Sequence, residues 1–84
     1  MSSYIKLQDG TEFSVRFAAS GRPVIYGFIE SELEKLLTLN PEDRVECDGE
    51  EEMYKDVKAK LDRHGSVAAY LPNASDYLKI CNSL

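Results

Sequence analysis

The sequence predicts an α+β domain in which an antiparallel sheet, an N-terminal three-strand meander plus a later strand, is packed on one face by two to three helices. Three observations carry this expectation. Apolar and polar residues alternate from Tyr4 to Phe17, the period of a half-buried strand. "SELEKLL" then switches to helical spacing behind a capping signal, and "SVAAYL" returns to a short apolar run between two further helical patterns.

The first hairpin is a question of register. With Asp9-Gly10 as a two-residue loop, Leu7 would face Glu12 and Ile5 would face Ser14, which sets apolar residues against polar ones. A three-residue loop, Gln8-Asp9-Gly10, with Gly10 left-handed, instead pairs Leu7 with Thr11 and Ile5 with Phe13. This second register is the expected one. It lines one face with Ile5, Leu7, Phe13, Val15 and Phe17, and turns Lys6, Glu12, Ser14 and Arg16 the other way.

"AASGRP" breaks the alternation, and "VIYGFIE" resumes it as a third strand, with Gly27 marking a bulge or a close approach. Ser31 followed by Glu34 reads as a capping box for an amphipathic helix carrying Leu33, Leu36 and Leu37, which stops at Asn40-Pro41. "NPED" reads as a turn, or as one helical turn with Asn40 as cap and Pro41 at the first position, and "RVEC" as a brief strand. From Glu50, the spacing of Met53, Val57 and Leu61 predicts a second helix. Its three leading glutamates, and Arg63 and His64 before Gly65, would suit the helix dipole at both ends. "SVAAYL" is the later strand, and "NASDYLKICNSL" a terminal helix capped by Asn73.

"YIKLQDGTEFSVRF" resembles the opening hairpin of the β-grasp proteins, a strand, a three-residue loop ending in glycine, and a second strand ahead of a helix. The third strand before the first helix departs from that pattern. The chain ends "CNSL" and not Gly-Gly, so the resemblance does not imply conjugation of the ubiquitin kind.

Size and composition favour binding over chemistry. A chain of 84 residues forms a single globular domain, 1–84, and buries only about 60–65% of its unfolded surface, which suits a shallow groove or flat contact face better than a deep pocket. "MSSYIKLQDG" has no signal-peptide pattern, and no apolar stretch approaches the roughly 20 residues that cross a bilayer, so a cytoplasmic protein without membrane contact is expected. Cys47 and Cys81 have no neighbour at metal-ligand spacing and read as small hydrophobes, with a bridge between them left open. His64 is a single histidine in "DRHGS", read as an exposed helix-end residue and not a general base. "DGEEE" lacks the ligand spacing of a calcium loop, and the glycines form no phosphate-binding loop. No catalytic residue, metal site or cofactor is expected.

What remains is charge asymmetry. The net charge is −5, yet Glu42 to Glu52 alone contains seven acids and one base, a local charge of −6, and the rest of the chain sums to +1. Direct nucleic-acid binding needs the opposite sign, and Lys55, Lys58, Lys60 and Arg63 read as a solvated helix face. A contiguous acidic face steers and orients a basic partner. The expected function is therefore a non-enzymatic protein-binding module, with Glu46, Asp48, Glu50, Glu51, Glu52 and Tyr4 as contact residues. One concrete form is an acidic inhibitor, a nucleic-acid mimic that occupies a basic nucleic-acid-binding complex as phage-type host-factor inhibitors do. Two other readings stand beside it: the acids serve only their own helix and solubility, or the chain is a small structural subunit or homo-oligomer using a sheet edge or its terminal helix.

Overall fold

The computed structural model describes residues 3–72. Its elements are β1 (Ser3–Lys6), β2 (Glu12–Phe17), β3 (Pro23–Tyr26), α1 (Glu30–Leu37), β4 (Arg44–Cys47), β5 (Glu50–Met53), α2 (Tyr54–Asp62) and β6 (Ala69–Leu71). The α+β class holds. The sheet has six strands in the order β5-β4-β1-β2-β3-β6, antiparallel throughout except for the parallel pair β3–β6. The terminal helix expected from Asn73, with Tyr77 and Cys81, lies outside the described residues.

The first hairpin adopts the three-residue register. Ile5 pairs with Phe13, the Leu7 N–H donates to the Thr11 carbonyl at 2.8 Å, and Gly10 has φ +94°. Asp9 closes the loop by accepting from the Thr11 N–H at 2.9 Å and from Lys35 Nζ of α1 at 3.0 Å. The bonds from Thr11, with help from Lys35, hold the Asp9 carboxyl down to about 2, from an ordinary 3.8. A depressed carboxyl pKa stabilises the fold above the unfolded-state value, and that contribution is lost as pH falls through the folded value. The acid limb of a pH–stability curve between about pH 4 and 2 is therefore expected to be shallower in Asp9→Asn than in wild type; identical limbs in acid-induced unfolding would refute it.

Ile5, Phe13, Val15 and Ile25 form the floor of the main core, and Leu36 of α1, Val57 of α2 and Val45 of β4 close it. The Phe13 ring is fully buried and lies 5.5 Å from that of Phe28. Both helices thus cover one face of the sheet. Phe17 shares that face as expected, lining one cleft with Ile5, Val15 and Val57, but it is 42% exposed with its ring 4.7 Å from His64. It is the last residue of β2, beyond the cover of the two short helices.

The third strand stops at Tyr26, earlier than the alternation predicts. Gly27 has φ +77° and its N–H donates to the Leu71 carbonyl at 3.1 Å, so it ends the strand where β6 approaches. Phe28 then enters the core, and the chain is already in place to start α1 at Glu30. The N-cap is accordingly Ile29 and not Ser31, and Glu32, not Glu34, reaches back to the Ile29 N–H at 3.0 Å. Only the backbone-binding half of the capping box is possible with isoleucine at the cap, since its side chain has no acceptor.

A second apolar cluster lies on the opposite face: Ala18, Val24 and Leu71, with Tyr26, Ala68 and Ala69 against it. Its residues alternate with the main-core residues of β3, Val24 facing one way and Ile25 the other, and both are buried. Arg22 joins this region to the loop after α2, with Nε donating to the Ser66 carbonyl and Nη2 to Ser66 Oγ, both at 3.0 Å.

Candidate functional site

The acidic run does not start a helix. Asp48 and Gly49 both have positive φ, +53° and +88°, the pair of left-handed residues that a type I′ turn requires. They fold "RVEC" and "EEEM" into a two-stranded ribbon, with Cys47 paired to Glu50, Glu46 to Glu51, Val45 to Glu52 and Arg44 to Met53. Glu50, Glu51 and Glu52 therefore lie on β5, an edge strand, and α2 begins only at Tyr54. The dipole explanation for these three glutamates falls with that correction, because they precede the first helical turn, whose acid is Asp56.

Strand alternation sorts the acids onto two faces. Glu46 and Glu51 sit side by side on the face away from the helices, while Glu50 and Glu52 share the helix face with Val45 and Cys47. Like charges directly opposite one another are unfavourable, and the neighbours offset this. Arg44 Nε lies 2.9 Å from Glu51 Oε1, and in β1 Lys6 is the register partner of Glu46. On the helix face, Lys60 Nζ of α2 reaches Glu52 Oε1 at 2.5 Å. Lys60 is thus drawn toward β5 and does not pair within its own helix.

Tyr4 belongs to the same surface. Its hydroxyl donates to Glu46 Oε2 at 2.6 Å, and its backbone N–H donates to Asp48 Oδ1 at 3.1 Å. The bond to the Glu46 carboxylate is the main reason its hydroxyl is held above the ordinary phenol value, with desolvation adding to it. Of the six residues the sequence singles out, Tyr4, Glu46 and Asp48 are thus joined directly, Glu51 lies beside Glu46 on the same face, and Glu52 is turned to the helix face against Lys60. Glu50 stands exposed at the turn end. Charge counting includes Arg44 without a partner and assigns Lys60 to a solvated helix face; reading Asp48-Gly49 as a hairpin turn would have paired Arg44, since it brings Arg44 and Glu51 onto the same face.

Behind the ribbon a cleft of about 210 Å³ is lined by residues including Ile5, Val15, Cys47, Lys60, Leu61 and His64. Cys47 is a free, half-buried thiol. Burial first, and then the charges of Asp48 and Glu52, push its pKa up, which keeps it protonated and a poor nucleophile. The His64 ring is occupied against Phe17. Among the described residues no group of three or more His, Cys, Asp or Glu converges as a metal-ligand set, and no helix is long and apolar enough to cross a membrane.

No protein-family model matches the chain, and no curated protein or solved structure is significantly similar to it.

Proposed function

We propose that the protein is a non-enzymatic protein-binding module whose contact surface is the acidic β4–β5 ribbon with Tyr4, and whose partner presents a basic surface. The observation that carries this reading is the placement of five acids, Glu46, Asp48, Glu50, Glu51 and Glu52, on one ribbon at the rim of the sheet, against the three neighbouring cations Lys6, Arg44 and Lys60. An acidic rim of this kind raises encounter rates with a basic partner and fixes its orientation. A basic nucleic-acid-binding complex fits that description, and the module would act on it as an inhibitor by occupying the groove. The free thiol at Cys47 is in keeping with a reducing, cytoplasmic setting.

The test is affinity capture from native-host lysate with wild type and with Glu50→Lys/Glu51→Lys/Glu52→Lys, each first checked for an unchanged thermal melt. A specific partner held by the wild type, released by salt and bound at least about tenfold more weakly by the variant, a difference of ~1.4 kcal/mol, is the expected result. Identical captures, or binding unchanged from low to high salt, would refute the acidic interface. The alternative reading, a structural subunit or homo-oligomer, draws on the other sheet edge, β6, where Tyr70 is 38% exposed. Light scattering on the same wild-type sample decides it: a monomer mass throughout the micromolar range removes that alternative.

A further inference from the structure

We infer that β5 binds its partner by strand addition, taking an extended basic segment onto its open edge as a seventh strand. The inference rests on the reading just proposed and names the form of the partner. Among the described residues β5 is bonded to β4 on one side only and is an end strand of the sheet. Its hydrogen-bonding pattern follows from the turn. A two-residue loop makes the flanking residues, Cys47 and Glu50, the first hydrogen-bonded pair. Pairing then alternates, so Val45 and Glu52 also exchange bonds while Glu46 with Glu51 does not. The N–H and C=O of Glu51 consequently point away from β4, toward the outside of the sheet, and the Met53 N–H points the same way. An edge of this kind is a template for another strand, and main-chain bonds there supply affinity while side chains supply selection.

The side chains restrict which strand is accepted. Glu51 flanks the edge on one face, and Glu50 and Glu52 flank it on the other. A second copy of β5 would bring glutamates against glutamates on both faces, which like-charge repulsion disfavours. An extended segment with lysine or arginine at successive positions meets opposite charge on both faces at once. The same residues thus oppose self-pairing and favour a cationic strand, the usual way in which specificity combines an attractive and a repulsive element.

The experiment uses the full chain and a short peptide in which three successive lysines are set between threonines and valines. Two further peptides of identical charge carry backbone N-methyl groups on alternate residues, one set for each register, so that one of them blocks the edge-facing N–H groups. Strand addition predicts that one methylated peptide binds at least tenfold more weakly than the parent and the other does not. It also predicts that Glu51→Pro, which removes an outward N–H that an edge strand tolerates losing, binds the parent peptide more weakly than Glu51→Gln, which removes the same charge. Equal binding by both methylated peptides overturns strand addition; if Glu50→Lys/Glu51→Lys still abolishes binding of the parent, the acidic surface itself stands. A parent peptide that does not bind at all overturns both.

Discussion

Phe13→Ala is expected to cost about 3–5 kcal/mol. The ring is fully buried in the centre of the sheet, between Ile5 on the neighbouring strand and Phe28 just past the end of β3, and two short helices have little freedom to collapse into the space it leaves. For a domain of this length the whole stability is of order 5–10 kcal/mol. The variant should therefore unfold near the low end of a urea titration, with a midpoint far below wild type and an unchanged slope. A loss under about 1 kcal/mol would mean that Phe13 is not the centre of the core.

The second large effect is expected at Val24→Asp, on the face of the sheet away from both helices. Val24 is fully buried in the cluster of Ala18 and Leu71; the cation nearest to it in register, Arg16 directly opposite on β2, is exposed, with its guanidinium 5.9 Å from the centre of the Tyr26 ring. An exposed guanidinium returns at most about 1 kcal/mol, so a carboxylate buried at this position should still cost about 3–5 kcal/mol. On a solvated face the same change would stay within about 0.5 kcal/mol. Thermal melts of Val24→Asp and Val24→Thr separate these outcomes, since threonine keeps the shape and places no charge. A melt of the aspartate variant close to wild type would show that this side of β3 is open to water or that Arg16 turns to meet the carboxylate.

How much of this was legible in the sequence depends on whether local signals agreed with each other. The first hairpin was fully legible because pattern and turn pointed to one register: only the loop Gln8-Asp9-Gly10 keeps Ile5 and Phe13 on one face. "RVEC" was readable as a strand for the same reason. Glu50 to Met53 was misread because two signals conflicted. Acids ahead of Met53, Val57 and Leu61 look like a helix start, while Asp48-Gly49 between short strand-like runs is a hairpin turn; the turn prevailed because Asp48 and Gly49 can both take left-handed backbone angles. The acidic residues were thus singled out by charge but set on the wrong element. The cap of α1 was displaced by tertiary structure, since Gly27 and Phe28 fix where the chain leaves β3, a constraint no window around Ser31 contains. The parallel pairing of β3 with β6 has no local signature at all, because it joins segments on either side of two helices.

The strand order carries a consequence for how the chain reaches this state. β1 lies in the interior of the sheet, and its two neighbours arrive at very different times along the chain. β2 follows within a few residues, whereas Tyr4 meets Glu46 across 42 positions and Arg22 meets Val67 across 45. Loop-closure entropy must be met before such distant contacts return anything, so the β1–β2–β3 meander is the natural nucleus and the acidic ribbon docks onto it late. Amide exchange under native conditions should then open β4 and β5 ahead of β1 and β2. A surface that joins last and parts first can be held in place by its partner, so binding at β5 would be felt as added cooperativity across the whole sheet.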